Sequence, residues 1–216
     1  MSNLQFVKAT NAFDYFYREI IKQGEVVGNT KVLRNIGFTL LNPLERSIDN
    51  EYRKWNQNYA EAEWEWYLSG NRNADEIAKR APIWKQMQDE NGNVNSNYGW
   101  QWMRSNQLDN VITLLRNNPN TRQASISIYD GKEIFMYNTD TPCTYAVNFY
   151  YDKLNRLCMS VLMRSNDLVL GFCNDQYCFS KLQEMVAKEL NAKVGTYYHF
   201  AQNLHIYETH YDLIPL

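Results

Sequence analysis

Apolar positions along the chain follow a helical period in much of its first half and a strand period in much of its second. The pattern predicts a helix over residues 8–23, stopped by Gly24. An extended segment follows at 31–41 (KVLRNIGFTLL). A second helix is predicted over 47–69, where tryptophans and charges alternate in AEWEWYLSG up to Gly70. DENGNVNSNYG (89–99) is polar and rich in turn formers, too short to link two domains. QLDNVITLLRN (107–117) returns to helical spacing at Leu108, Val111, Ile112 and Leu115, with Pro119 as a stop.

Beyond Arg122 the period changes. ASISIY, EIFMYN, TYAVNFYY and LCMSVLMR alternate or run apolar as strands do, with DGK and DKLN as turns. SKLQEMVAKEL then aligns Leu182, Met185, Val186 and Leu190 on one helical stripe, suited to packing on a sheet. HIYETHYDL reads as a closing strand. Helices first, then strands with one long helix among them, predict an α+β fold organised as a single domain over residues 1–216.

Composition bounds the function. The 216 residues are 44% hydrophobic with a net charge of -2, which gives no whole-protein attraction to nucleic acid or to a membrane surface. No apolar run approaches the roughly 18 residues of a membrane span, and the N-terminus lacks a signal-peptide core. A soluble, cytoplasmic protein without nucleic-acid or membrane partners is expected. Cys143, Cys158, Cys173 and Cys178 form no CxxC pair, so neither a disulfide framework nor a zinc knuckle is expected. His199, His205 and His210 lack metal-ligand spacing, and no metal is expected. The PCTYA stretch supplies only half of the PCxxC that zinc nucleobase deaminases use, which excludes that chemistry.

RSNDLVLGFCND (164–175) sets one arginine and two aspartates around a run that favours burial, where a carboxylate needs a compensating partner or ligand. Cys143 follows a proline at the start of a strand, and Arg164 ends the next strand, near enough to favour a thiolate. The other three cysteines read as small buried hydrophobes.

These residues carry a resemblance. Pro142-Cys143, RSND at 164–167, Gly171, a helix, and LHIY at 204–207 are similar in order and spacing to the thymidylate synthase family. EWEWYLSG (63–70), IW (83–84), YGWQW (98–102) and NPNTR (118–122) fit the same pattern, so the likeness runs from Glu63 to Tyr211. Within the family, NSNYGW, MRSND and GFxND most resemble the phage deoxycytidylate hydroxymethylases. The resemblance implies a mixed sheet with flanking helices, one sheet face forming a homodimer interface, and 5,10-methylenetetrahydrofolate as cosubstrate beside a pyrimidine nucleoside monophosphate. It implies Cys143 as the nucleophile that adds to C6, which makes C5 an enamine-type carbon. Glu63 matches the acid/base glutamate, and Tyr98 and Asp167 match positions near the nucleophile and the folate. Arg164 and Ser165 match phosphate-binding positions, a guanidinium fork and a hydroxyl being suited to a phosphomonoester. Arg122 matches an arginine that reaches the partner's phosphate. His205 and Tyr207, two apart on a strand and therefore on one side of it, match sugar-binding residues. Trp84 and Gly171 fall on the folate side. Taken singly, Glu63 reads as an exposed helix charge, Arg122 as a turn arginine, and Trp84 as core.

Asp175 stands where thymidylate synthases have asparagine. Cytosine presents an amino donor at position 4 and an acceptor at N3, the reverse of uracil, so a carboxyl that accepts from the amino group and shares a proton with N3 fits it. Its bland reading is a helix N-cap. Water rather than hydride at the final step would leave a hydroxymethyl group, by analogy with the phage branch. Three departures stand against the pattern. VVGNTKV offers Asn29, with Lys31 nearby, in place of an early phosphate arginine. Gln123 replaces a second arginine. The chain stops at Leu216, where relatives generally continue into a segment that closes the site. The expected activity is conversion of dCMP to 5-hydroxymethyl-dCMP. A thymidylate synthase or dUMP/CMP hydroxymethylase, a non-catalytic nucleotide-binding homologue, and more remotely a Cys143–His205 hydrolase remain as alternatives.

Overall fold

The computed structural model describes residues 4–132, 137 and 139–215. Its sheet runs β1 (Leu4–Phe6), β3 (Thr30–Leu40), β8 (Lys193–Tyr207), β6 (Arg156–Met163), β5 (Thr144–Tyr151), β4 (Ser125–Ser127). β1 pairs parallel with β3 and β6 parallel with β8, while the β3–β8, β5–β6 and β4–β5 pairs are antiparallel. Two short strands complete it, β2 (Glu25–Val27) against β3 and β7 (Asn166–Asp167) against β8. The sheet is mixed, as expected, and open.

One face carries helices α1 (Ala9–Gln23), α2 (Gln57–Leu68), α5 (Tyr98–Met103), α6 (Gln107–Asn117) and α7 (Cys173–Glu189). Phe13, Phe16, Tyr67, Trp102, Phe172 and Phe179 from this layer are buried against Phe38, Val161 and Tyr197 of the sheet. α3 (Asp75–Ala78) and α4 (Ile83–Met87) build a smaller core of Ala74, Ile77, Trp84 and Val94 beside α2. On the opposite face Tyr198 and Phe200 of β8, Leu162 of β6 and Tyr150 of β5 are only half-buried or exposed, with no helix over them among the described residues. No described helix is long and apolar enough to cross a membrane.

Most predicted elements form where the pattern placed them, α1 ending at Gly24 and α6 spanning 107–117. The second helix starts ten residues later than expected. Residues 47–56 are tied to α1 instead: Thr10 Oγ1 donates to the Ser47 carbonyl and accepts from the Asp49 amide, and the Asn56 side chain caps the helix by accepting from the Tyr59 amide. HIYETHYDL is not one strand. Only HIY belongs to β8, which begins at Lys193, and Glu208–His210 form a 3-10 turn. The expected strand EIFMYN lies largely outside the described residues.

Candidate active site

Cys143 sits where β5 begins, directly across from Arg164 at the end of β6, and the Arg164 amide donates to the Cys143 carbonyl (2.8 Å). The Arg164 guanidinium fastens the preceding loop, Nη2 to the Thr141 carbonyl (2.8 Å) and Nε to the Pro142 carbonyl (3.2 Å). Arg164 borders a cavity of about 520 Å³ that Cys143 also lines. Burial pushes the thiol up to about 11, against the pull of Arg164. Burial outweighs the arginine's proximity, so Cys143 rests as a thiol.

Tyr98 enters from α5. Asn97 caps this helix, accepting from the Trp100 amide at 2.8 Å, and its amide nitrogen holds the carbonyls of Trp66 and Asn71 near the end of α2. Gly99 permits the contact, since a Cβ there would lie 1.6 Å from the Tyr67 carbonyl oxygen. The Tyr98 hydroxyl accepts from the Thr144 amide (3.1 Å), one residue from Cys143.

Glu63, on α2, is 4% exposed and not a surface charge. Burial raises its pKa to about 7, countered by the phenols of Tyr67 and Tyr59, one helical turn to either side. Tyr67 donates to Oε1 at 2.8 Å, while Oε2 is buried without a hydrogen bond. Tyr59 in turn accepts from Trp84 Nε1 (2.8 Å), which ties α4 to the same group. Trp84 joins Ile83, Met87 and Leu170 in an apolar wall, with Ile83 and Leu170 about half exposed at its rim. That wall fits a planar heterocycle such as a folate pterin.

At the other side β7 brings RSND to β8. Asp167 pairs with His205, and its Oδ1 accepts from the Val169 and Leu170 amides (2.8 and 3.1 Å), starting the π-helical turn Leu168–Phe172 that leads into α7. Asp175 lies in the first turn of α7, facing the cavity. The N-cap is Phe172, with no side-chain cap, so the capping role does not apply. Asn166 Nδ2 donates to Asp175 Oδ2 at 2.8 Å. Burial, with the Glu63 charge next, raises Asp175 to about 8. Asn166 is itself fixed. His199, held near 3 by burial, is neutral; Asn166 Oδ1 can only accept, so Nε2–H donates to it (3.0 Å), Nδ1 accepts from the Tyr197 hydroxyl (2.9 Å), and the amide nitrogen faces Asp175. Gly171 leaves room for this pair, since a Cβ would come within 3.1 Å of Asn166 Nδ2 and 3.2 Å of Asp175 Oδ2.

Ser165, His205 and Tyr207 border the same cavity, the last two as an edge-on pair with ring centroids 5.2 Å apart on one side of β8. Burial lowers the His205 pKa, and its Nδ1 has no hydrogen bond. Arg122 does not line it. It lies exposed in the turn after α6. Lys31 is turned elsewhere, donating to the Ile21 carbonyl and covering the Tyr211 ring. Asn166, His199, Tyr59 and the buried Asp140 with Ser96 were not singled out from sequence. RSND contained the first, but the ties of His199 to Asn166, Tyr59 to Trp84 and Ser96 to Asp140 run between distant segments.

The chain matches the model of the family described as Thymidylate synthase over residues 18–215. It belongs to the thymidylate synthase family. It is 34% identical over 177 residues to the deoxycytidylate 5-hydroxymethyltransferase of Enterobacteria phage T4, covering 74% of this chain and 70% of the phage protein. It is 29% identical over 171 residues to the thymidylate synthase of Bacillus atrophaeus, covering 75% and 74%. The solved structure of the thermostable thymidylate synthase A from Bacillus subtilis superposes with a TM-score of 0.79 at 22% identity, over 94% of this chain and 81% of that one, which shows the fold. Members of the family are folate-dependent one-carbon transferases that use methylenetetrahydrofolate.

Proposed function

We propose that the chain is a homodimeric hydroxymethyltransferase that converts dCMP to 5-hydroxymethyl-dCMP, with residues 1–216 acting as one catalytic unit. The observation that carries the base choice is Asp175. With its pKa near 8 it holds a proton at neutral pH, so one oxygen donates to cytosine N3 and the other accepts from the 4-amino group. Uracil would set its N3–H against that donor, a mismatch of about 1–3 kcal/mol.

Cys143 adds to C6 once its proton has been taken up, and the proton on N3 makes the ring a better electron sink for that step. Methylenetetrahydrofolate supplies the one-carbon unit when bound against Trp84, with Asp167 and Gly171 bordering it. Glu63, poised near 7, moves protons around the ring. Tyr98 holds the strand that carries the thiol. Arg164 and Ser165 take the phosphate, and His205 and Tyr207 the sugar hydroxyl. A second copy covers the sheet face of Tyr198, Phe200 and Leu162, and its Arg122 completes the phosphate site that one chain leaves short of cations.

The test is mass spectrometry of dCMP, CMP and dUMP after incubation with protein and methylenetetrahydrofolate. A hydroxymethyl gain on dCMP alone is expected. A gain on CMP would change the sugar, and a methyl gain on dUMP would assign thymidylate synthesis, the activity of the Bacillus relative. No product, with the folate intact, would leave a nucleotide-binding homologue.

A further inference from the structure

The cavity holds a carboxylate that the steps above do not use. Asp140 lines it three residues ahead of Cys143 and is 5% exposed. Ser96, which also lines it, holds both carboxylate oxygens: its amide donates to Oδ2 and its hydroxyl to Oδ1, each at 2.6 Å. Asn95 Nδ2 adds a third tie, to the Asp140 carbonyl (2.7 Å). Arg72 braces that loop, bonding Asn95 Oδ1 and stacking on Trp100.

Among the cavity carboxylates, each of the other three has a task. Asp167 caps the turn into α7, Asp175 faces the base edge, and Glu63 sits between two phenols. Asp140 is left beside the nucleophile, near enough for its charge to bear on Cys143 and for Arg164 to bear on it. Each Asp140 oxygen keeps a lone pair beyond its bond to Ser96, and the Ser96 hydroxyl, having donated, can still accept. These are the acceptors a water needs to be oriented for attack, and Glu63 Oε2 is a further unpartnered acceptor on the same cavity.

We propose that Asp140, held by Ser96, binds and deprotonates the water that ends the reaction; this rests on the hydroxymethyltransferase reading. The water oxygen bonds to the exocyclic methylene carbon on C5, and its proton passes to the Asp140 carboxylate. The exocyclic π pair moves into the ring toward protonated N3. When that pair returns, C5=C6 re-forms and the C6–S bond breaks, releasing the Cys143 thiolate.

The test compares wild type, Asp140→Asn and Ser96→Ala. Asparagine keeps the shape, the Asn95 tie and an acceptor for the Ser96 amide, with its NH2 donating to a turned Ser96 hydroxyl, but it cannot take the proton, which separates chemistry from loop bracing. Three quantities are read: tritium released from C5 of dCMP, which precedes hydration; hydroxymethyl product; and thioether product formed when 2-mercaptoethanol is added to compete with water. In Asp140→Asn, tritium release stays within about threefold of wild type while hydroxymethyl product falls about tenfold or more and thioether rises. Ser96→Ala, which keeps the backbone donor, shifts the same ratio about threefold. Calorimetric dCMP binding without folate is unchanged in both. The proposal is overturned if tritium release and hydroxymethyl product fall together in both variants, or if the ratio holds while dCMP affinity drops more than about tenfold. Wild-type protein that forms no hydroxymethyl nucleotide overturns it together with the reading beneath it, and does so before any variant is made.

Discussion

At the end of the cavity that Asp175 borders, one chain supplies every support. Tyr197 orients His199, His199 orients Asn166, and Asn166 holds Asp175, over bonds of 2.8–3.0 Å. At the end bordered by Arg164 the supports run the other way. Arg164 spends two donors on its own loop, Lys31 is turned to α1 and Tyr211, and Arg122 lies outside the cavity. The contrast has a physical basis. A base edge is read by one or two neutral hydrogen bonds whose direction decides everything, so it needs a rigid, desolvated scaffold. A phosphate dianion is read by charge, which tolerates loose geometry and a donor borrowed from a second chain.

The largest effect falls on the rigid end. Asp175→Asn is expected to lower kcat/KM for dCMP on the order of a hundredfold and to raise that for dUMP, because the amide offers N–H where the carboxyl offered an acceptor. Steady-state kinetics on both nucleotides checks it. Equal losses on the two would detach Asp175 from base choice.

Arg122→Ala tests the borrowed donor, with an expected loss in kcat/KM of about tenfold. Mixing it with inactive Cys143→Ala protein sharpens the comparison. If Arg122 serves the partner's site, each mixed dimer regains one intact site, and activity returns to about a quarter of wild type. No recovery on mixing would place both ends of the site within one chain. Gly171→Ala returns to the rigid end with a milder push. Its Cβ presses on both Asn166 and Asp175, so dCMP turnover is expected to fall about fivefold with dCMP still preferred over dUMP.

Much of this was legible in the sequence where signals were local. α1, α6, the part of α7 from Ser180 onward and the β5–β6 hairpin followed from spacing and from Gly24, Pro119 and the DKLN turn, whereas the seven residues of α7 before Ser180 did not. β8 was read only at its last residues because Tyr197, His199 and Ala201 on its buried side alternate with Tyr198 and Phe200, leaving no apolar–polar contrast to detect. The late start of α2 was in reach of the Asn56 cap, but its ties to Thr10 were not. Family motifs pointed to the cavity's lining, from Glu63 to Tyr207. What they left out acts across the chain: His199 meets Asn166 over 33 positions and Ser96 meets Asp140 over 44. Folding alone brings such pairs together.

The smallest effect is on stability, and it too separates the two ends. Glu63 and Asp175 both ionise less readily in the folded chain, at about 7 and about 8, than at the ordinary values of 4.5 and 3.8. The folded state therefore keeps their protons to higher pH than the unfolded state does. Their contribution to stability is whole below about pH 4 and is lost as pH rises through 7 and then 8. Thermal melting of the nucleotide-free protein should show a midpoint that declines by several degrees from pH 6 to pH 9, and Asp175→Asn should flatten the upper part of that decline. Arg122→Ala should leave the slope untouched, since Arg122 lies exposed and outside the cavity that holds the two carboxyls. A slope unchanged by Asp175→Asn would mean that Asp175 ionises in the cavity as it would in water. The donor to N3 would then have to come from another group.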